Sequence, residues 1–179
     1  MKINKIGPFL LFTFILILLN RSPYAENWGA QSLDSLQCIM VEVVVSDNLS
    51  KEITERQIKT DTELALRSHG INLIEPSDST YSYCGALYIT VRGFENSLKN
   101  GKYTGYICFT TTVDLTQSVL LPREVINSGY DANFHSAITW MEGTVAYCSV
   151  EDFNQYARRI IGDYVNEFIN DFLCVNSLN

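Results

Sequence analysis

The stretch SVEDFNQYARRIIGDYVNEFINDFLCV, residues 149–175, decides the fold of this chain. Its apolar residues recur at helical spacing and form one continuous face. They are Phe153, Tyr156, Ala157, Ile160, Ile161, Tyr164, Val165, Phe168, Ile169, Phe172 and Leu173. The positions between them are polar, so the helix must lie with its apolar face on another layer. Ser149 followed by Asp152 predicts a capping box at its start.

Upstream of this helix, the sequence predicts a strand, a second helix and a short strand. Residues 37–45 are almost continuously apolar and end in three valines, which is typical of a strand covered on both faces. A helix is predicted over residues 51–69, with Ser50 as its cap and Gly70 as its left-handed stop. Its buried face would carry Ile53, Ile58, Ala65 and Leu66. Residues 71–74 then predict another strand.

Two alternating segments predict a β-hairpin in the middle of the chain. Residues 86–94 alternate between apolar and polar, and residues 103–121 do the same over a longer run, with Asn100-Gly101 as the turn. The apolar side of the second segment carries Ile107, Phe109, Val113, Leu115, Val119 and Leu121. Residues 137–147 are rich in β-branched and aromatic residues and predict the last strand.

The resulting element order is β-α-β-β-β-β-α. Strands in succession with helices towards the two ends of the domain indicate an α+β fold. We therefore predict an antiparallel or mixed sheet with two helices packed on one face.

The amino-terminal segment has the order of features found in a secretory signal peptide. Two lysines precede an uncharged, largely apolar run over residues 6–19, and the small residue Ala25 follows. We predict a signal peptide over residues 1–25 and a single α+β domain over residues 26–179. A retained membrane anchor is the alternative, but the run is shorter than the roughly 20 apolar residues of a spanning helix. The prediction is export to the periplasm or the extracellular space, with no stable membrane span after cleavage.

The charge balance bears on the class of partner. Residues 26–179 contain 10 basic and 20 acidic residues, a formal charge of −10. Such a surface repels phosphate, which argues against nucleic acid and anionic lipid as partners. The acidity is equally compatible with a simple role in solubility.

The chain contains five cysteines, Cys38, Cys84, Cys108, Cys148 and Cys174. Export would allow disulfides, although an odd number leaves at least one thiol unpaired within the chain. Cys148 and Cys174 would lie about 39 Å apart along the last helix, too far for a bond. Counting along the predicted strands disfavours a bond between Cys84 and Cys108 and places Cys108 opposite Cys148. We predict Cys108 and Cys148 as the nearest pair and the candidate disulfide.

Catalytic signatures are missing from the sequence. It contains no H-E-x-x-H, G-x-S-x-G or C-x-x-C motif and no phosphate-binding glycine loop. His69 lies at the end of a predicted helix, where a partial positive charge is favourable. His135 could act with a cysteine as a catalytic base, but it has no second ligand at metal spacing. We predict neither a metal nor another cofactor.

Four short patterns resemble those of a group of small exported bacterial proteins without an assigned activity. They are E-x-x-L-R-x-x-G-I from Glu63 to Ile71, L-x-Q-x-V-x-L-x-R from Leu115 to Arg123, Thr139-Trp140, and F-I-N-D-F-L-x-x-N from Phe168 to Asn176. The predicted architecture also resembles the amino-terminal domain of the translocation protein TolB, which makes protein contacts in the periplasm. That second likeness carries over no residue roles.

Within this resemblance, Gln117, Arg123, Trp140 and Asn176 are polar or bulky residues beside an apolar pattern. They would form a shared patch for a protein partner, because Trp and Arg are favoured interface anchors. Alternatively, Gln117 and Asn176 bond to backbone, Arg123 pairs with a carboxylate and Trp140 packs on the sheet.

These observations favour an exported, non-enzymatic binding or assembly domain of the bacterial cell envelope with a protein partner. Two alternatives remain open at this point: a small hydrolase or thiol enzyme that uses His135, and a carrier of an apolar small molecule between sheet and helix.

Overall fold

The computed structural model describes residues 32–34, 36–75, 84–97, 103–120 and 134–176. Within these ranges the elements follow the order β-α-β-β-β-α. They are β1 (Cys38–Val45), α1 (Glu55–Ser68), β2 (Cys84–Ser97), β3 (Tyr103–Leu120), β4 (Phe134–Ser149) and α2 (Val150–Asn176). The predicted signal peptide, the predicted turn at Asn100-Gly101 and Arg123 lie outside the described residues.

The strands form one mixed, four-stranded sheet in the order β1-β2-β3-β4. β1 runs parallel to β2, with α1 as the crossover, and β2, β3 and β4 are successive antiparallel neighbours. The predicted α+β class and mixed sheet are confirmed. The strand predicted over residues 71–74 is reduced to a single bridge between Leu73 and Ile39. In the sequence this run lies between Gly70 and Pro76, and proline has no N–H with which to extend a ladder.

Helix α2 buries the stripe that the sequence predicts. Its buried residues are Phe153, Ala157, Ile161, Val165, Phe168 and Ile169. The helix packs mainly on β3, with further contacts to α1 and β4, and Phe109 of β3 meets Phe153 edge to face with ring centroids 4.9 Å apart. The predicted cap is present, because the Asp152 backbone N–H donates to Ser149 Oγ at 3.2 Å. The same hydroxyl donates to the Asp152 carboxylate at 2.6 Å.

Helix α1 begins later than predicted. Its N-cap is Thr54, whose hydroxyl accepts a hydrogen bond from the Gln57 N–H at 3.3 Å. Ser50 instead donates to the Asp47 carbonyl within a preceding turn, so the prediction of Ser50 as the cap is wrong. The predicted stop is confirmed, since Gly70 has a positive φ of 76° and the Ile71 N–H returns to the Leu66 carbonyl.

One core fills the space between the sheet and the helices. The inward side of β3 carries buried Ile107, Phe109, Val113 and Leu115, as predicted, and Ile58 and Leu66 of α1 join the same cluster. Thr111 is also buried on this side, and its hydroxyl has no hydrogen-bond partner. The opposite side of the sheet carries neither helix and is called the open face below.

The disulfide lies elsewhere than the sequence analysis placed it. Cys38 and Cys84 are bonded, with their Cα atoms 4.6 Å apart at the first register position of β1 and β2. Cys108 and Cys148 are free thiols, so their prediction as the nearest pair is wrong. The register pairs Cys108 with Tyr147 and Ile107 with Cys148. This one-residue offset puts the two thiols on opposite faces of the sheet.

Candidate functional site

Three of the four predicted site residues lie at the same end of the molecule. Trp140 is on β4, Gln117 is on β3 and Asn176 is the last residue of α2. Arg123 lies outside the described residues. The three side chains make internal contacts at this end, and a shared role in binding a partner stays a prediction.

Trp140 joins the sheet to the end of α2. Its side chain is only 6% exposed, and the indole Nε1–H donates to Asp171 Oδ2 at 2.9 Å. The Phe168 ring packs edge to face on the indole, with centroids 5.2 Å apart. The Trp140 side chain is therefore buried against α2, which differs from the alternative in which it packs on the sheet.

Gln117 and Asn176 tie the segment before β1 to the same end. The Thr139 hydroxyl donates to Gln117 Oε1 at 2.5 Å, and the Thr139 carbonyl accepts from the Ser32 hydroxyl at 2.9 Å. The Asn176 Nδ2 group donates to the Leu33 carbonyl at 3.1 Å and to the Phe172 carbonyl at 2.9 Å. Together these bonds hold residues 32–33 against β4 and α2.

Strand β4 contains a β-bulge at Thr139, at this same end of the molecule. Trp140 pairs with Leu115 and Ile138 pairs with Thr116, so Thr139 is the extra residue in β4. Residues on the two sides of the bulge therefore follow opposite alternation along the strand. On the open face Ile138 is followed by Met141, three residues later, and only then does the regular two-residue period resume.

The open face changes character from β3 to β4. On β3 it carries mostly hydroxyl and carboxyl side chains, namely Thr110, Thr112, Asp114, Thr116 and Ser118. On β4 it carries large exposed apolar side chains, which are Ile138 (60% exposed), Met141 (60%), Val145 (71%) and Tyr147 (55%). Tyr147 also stacks on Tyr106 of β3 with centroids 5.2 Å apart. Clustered exposed apolar residues of this kind mark interaction surfaces.

This apolar stripe, residues 138, 141, 145 and 147, is a candidate binding feature that sequence reasoning missed. The signal was present, because Met141, Gly143, Val145 and Tyr147 alternate with Glu142, Thr144 and Ala146. The pattern does not reveal which set is buried, since the inward-facing residues of this strand are no more apolar than the outward-facing ones. Only the pairing of Trp140 with buried Leu115 settles the orientation.

The edge of β4 adds backbone groups to the stripe. Among the described residues, β3 is the sole sheet neighbour of β4. The free edge of a strand presents a row of N–H and C=O groups that can pair with another strand. β4 therefore combines an apolar surface with a ladder edge in one element.

Asp114 lies on the open face between β2 and β4. It is opposite Tyr88 on one side and Met141 on the other. Partial burial among these neighbours raises the pKa of the Asp114 carboxyl above its usual value of about 3.8. Covering this region with another apolar surface would further disfavour the charged carboxylate.

A groove of about 510 Å³ lies where β4 passes into α2. Its lining includes Cys148, Asp152, Gln155, Tyr156 and Arg159. Burial, followed by the Asp152 charge, raises the pKa of the Cys148 thiol. Both effects disfavour the thiolate, which is the reactive form. Arg159 also lines the groove, yet the net shift of the Cys148 pKa is upward, away from the reactive thiolate.

Comparisons with known proteins return weak structural likenesses. No protein-family model and no curated protein matches the chain. One solved structure with similarity is a minor lipoprotein from Acinetobacter baumannii, with a TM-score of 0.32, 12% identity, and coverage of 75% of this chain and 91% of that one. Another is the rare lipoprotein B from Shewanella oneidensis, with a TM-score of 0.32, 11% identity, and coverage of 78% and 97%. Both scores are too low to support an argument about function, and the likeness to TolB stays a prediction.

The positions of the two histidines bear on the alternative of a thiol enzyme that uses Cys108 or Cys148. His69 is at the C-cap of α1, with Nδ1 2.9 Å from the Ala65 carbonyl oxygen. His135 is exposed near the start of β4. Cys148 and the register position of Cys108 are at the other end of that strand, roughly 40 Å away. A dyad of His135 with either cysteine is therefore incompatible with this fold.

The remaining alternatives were a metal site, a membrane span and an apolar cavity. Within the described ranges, no group of three or more His, Cys, Asp or Glu side chains is placed to hold a metal ion. No helix in this part of the chain has the length and apolar character to cross a membrane. The cavity between α1 and α2 has a volume of about 50 Å³, whereas ligand pockets usually measure roughly 300–1,000 Å³. This cavity is too small for such a ligand, whereas the groove of about 510 Å³ between β4 and α2 lies within that range, so the carrier function stays an alternative prediction.

Proposed function

We propose that this protein is an exported, non-enzymatic protein-binding or assembly domain of the bacterial cell envelope. The observation that carries the proposal is the apolar stripe of β4, whose four side chains are between 55% and 71% exposed. These side chains lie beside an open strand edge, so a partner gains both apolar contact and backbone hydrogen bonds.

Export to the periplasm or the extracellular space is supported by two independent features. The first is the order of charged, apolar and small residues in the predicted signal peptide over residues 1–25. The second is the bond between Cys38 and Cys84, because structural disulfides persist mainly in oxidising compartments. The domain proposed for residues 26–179 is then the exported form.

A binding role is favoured over catalysis by the chemistry of the titratable groups. The shift of the Cys148 pKa opposes thiolate formation, and His135 is remote from Cys108 and Cys148 along the sheet. We assign Gln117, Trp140 and Asn176 a supporting role in this function. Gln117 accepts a hydrogen bond from Thr139 at the bulge, Trp140 fixes the next position of β4 against α2, and Asn176 holds Leu33 at the same end.

The proposal is tested by cross-linking in the envelope of the host bacterium. The wild-type protein and the variant Met141→Lys/Val145→Lys are produced with their signal segments, and cross-linked complexes are compared after purification. We expect a protein complex with the wild type that is reduced at least tenfold with the variant.

The matched control is Leu64→Lys, because Leu64 is 68% exposed on α1 and lies away from the sheet. It should retain the complex. Equal yields from the wild type, the stripe variant and the control would contradict a binding role for β4. Thermal unfolding of all three proteins shows whether each variant is folded.

A further inference from the structure

Among the described residues, the edge of β4 that faces away from β3 has no strand neighbour. Between Phe134 and Ser149 it contains no lysine, arginine, aspartate or proline, and Glu142 is its one carboxylate residue, so it has few of the charged residues and prolines with which proteins usually block edge pairing. The bulge at Thr139 limits the regular part of the edge to residues 140–148. The Thr139 carbonyl accepts a hydrogen bond from the Ser32 hydroxyl. The edge is therefore covered at Thr139, and its regular part begins directly after this residue.

The regular edge is centred on Thr144 and is complementary to itself. We propose that a second copy of this chain pairs with it in antiparallel orientation, with Thr144 on the twofold axis. This proposal specifies the partner in the function proposed above and rests on it. In this register Met141 faces Tyr147 of the second copy, and Gly143 faces Val145 of the second copy.

These pairings are chemically matched on the open face. A thioether beside an aromatic ring is a favourable contact, and Tyr147 is already held by stacking on Tyr106. Gly143 has no side chain and leaves room for the branched Val145 of the second copy. The same arrangement repeats on the other side of the twofold axis, so Met141 and Tyr147 of each copy gain a side-chain contact and Val145 covers the Gly143 backbone.

The inward side of the paired edges is also compatible. Thr144 meets Thr144 of the second copy, a favourable cross-strand pair, and Glu142 meets Ala146. The two Glu142 carboxylates are offset by four residues along the strands, about 13 Å. This exceeds the screening length of about 8–10 Å at moderate salt, so their repulsion is weak.

The size of the contact predicts a weak dimer. A nine-residue edge is about 30 Å long, and a contact of one strand with its side chains falls at the lower end of specific interfaces, below roughly 1,200 Å² in total. We therefore expect a dissociation constant in the micromolar range. Because a twofold pairing uses the same edge of both copies, assembly stops at the dimer and does not extend into fibres.

Sedimentation velocity of the purified domain, residues 26–179, tests the proposal from about 1 to 200 µM. The wild type should shift from monomer to dimer across this range. Val145→Lys replaces an apolar contact with two lysines at diagonal positions across the axis, where neighbouring residues are about 7–8 Å apart, and it should weaken the dimer at least tenfold. Val44→Lys is the matched control, since Val44 is on the open face of the opposite edge strand, and it should leave the dimer unchanged.

A charge-swap pair separates loss of the interface from loss of the fold. Val145→Glu should be monomeric for the same reason as Val145→Lys, and an equimolar mixture of the two should form a heterodimer. A wild type that is monomeric at 200 µM would overturn the proposal. So would a wild-type dimer that neither substitution weakens, or a mixture that remains monomeric.

Photocross-linking tests the register. With p-benzoylphenylalanine in place of Tyr147, the reactive group should attach to the region of Met141 in the second copy. The same two positions within one chain are about 20 Å apart, so this cross-link must join two copies. Mixing ¹⁵N-labelled and unlabelled protein verifies it by mass. Attachment only to α1 or β1 would contradict the pairing.

The outcomes distinguish this inference from the function on which it rests. A monomeric wild type whose envelope complex is lost in Met141→Lys/Val145→Lys refutes self-pairing and leaves the binding function in place. A dimer that depends on Val145, together with an envelope complex made only of this chain, supports both. A dimer that depends on Val145, found together with a separate envelope complex that Met141→Lys/Val145→Lys retains, supports self-pairing. The same result refutes β4 as the surface that binds the other partner.

Discussion

The two edge strands of the sheet, β1 and β4, differ in how far other described segments cover their outer backbone groups. At β1, the Ile39 N–H donates to the Asn72 carbonyl at 2.9 Å and the Ile74 N–H donates to the Ile39 carbonyl at 3.0 Å. The start of the strand is also bonded to β2 through Cys38 and Cys84. At β4, the Ser32 hydroxyl donates to the Thr139 carbonyl, and over residues 140–148 no described segment or disulfide covers the edge. Within the described residues, the backbone of β1 is therefore capped by a bridged segment and a disulfide, and that of β4 beyond Thr139 is not.

This difference shows how short a covering segment can be. Only one bridge joins residues 71–75 to β1, yet two backbone hydrogen bonds are enough to satisfy the buried Ile39. The β4 edge has no such segment among the described residues, but it carries the apolar stripe. Protection of the first edge and the composition of the second both point to β4 as the edge that meets a partner.

Among the variants that test this comparison, the largest loss of stability is expected from removal of the disulfide at β1. The bond closes a loop with a sequence separation of 46, and the chain-entropy model assigns about 4 kcal/mol to a loop of that length. Cys38→Ala/Cys84→Ala should lower the free energy of unfolding by about this amount in urea titrations. Cys174→Ser, which changes an exposed free thiol, should alter it by less than about 0.5 kcal/mol. An unchanged urea midpoint for the double variant would contradict a structural role for the bond.

The next effect concerns the point where the exposed edge begins. Asp171→Ala removes the acceptor of the buried Trp140 N–H, and we expect a loss of about 2 kcal/mol. Asn170→Ala is the control, because Asn170 is the adjacent exposed residue of α2. Differential scanning calorimetry should show a lower melting temperature for the first variant alone. Equal melting temperatures would show that the indole finds another acceptor.

A smaller effect is expected from uncovering β1. Ile74→Pro removes the N–H that donates to the Ile39 carbonyl, and it should cost about 1–2 kcal/mol. It also gives the sheet a second free edge, so the variant should aggregate faster by light scattering. Ile74→Val retains the N–H and a branched side chain and should behave like the wild type. If both variants aggregate at the wild-type rate, the covering segment does not protect the edge.

The smallest effect comes from Asp114, between the polar and apolar parts of the open face. Because its pKa is raised above 3.8 by burial, folding favours the protonated form, and the associated stability is lost as the pH rises through the folded-state pKa. Asp114→Asn should therefore be slightly more stable than the wild type at pH 7, by about 0.5 kcal/mol or less because the group is largely solvated. The two proteins should be equal near pH 3.

Urea titrations at both pH values measure this difference. Asp163→Asn, on the exposed side of α2, is the control for removal of a negative charge. A larger gain from Asp114→Asn at pH 3 than at pH 7 would have the wrong sign for a raised pKa.

Sequence predicted the parts of this fold that depend on local spacing. The stripe from Phe153 to Ile169 and the cap at Ser149 are set within single turns of one helix, so periodicity and residue type are sufficient. The stop at Gly70 is local for the same reason. The start of α1 was placed too early because Ser50 and Thr54 are both good caps, and the burial of Leu49 and Ile53 in the intervening turn is a tertiary effect.

Register and edge exposure could not be predicted in this way. A shift of the strand register by one residue moves Cys148 to the other face of the sheet relative to Cys108. The bulge at Thr139 adds one residue to β4, and no neighbouring glycine or proline in the sequence predicts it. Trp140 and Asn176 belong to the same end of the molecule, where both make internal contacts. Their contacts with Asp171 and Leu33 are between residues distant in sequence, which no local pattern encodes.

The disulfide also determines how tension would pass through this molecule. A pull on the chain ahead of β1 reaches Cys38 and continues directly into β2 through Cys84, so β1 and α1 are left out of the load path. The bond keeps a segment of about 150–165 Å of extended chain from being drawn out. If an exported domain is tethered at that end, β3, β4 and α2 would unfold first under load. The segment between Cys38 and Cys84, which includes the parallel crossover, would bear no tension.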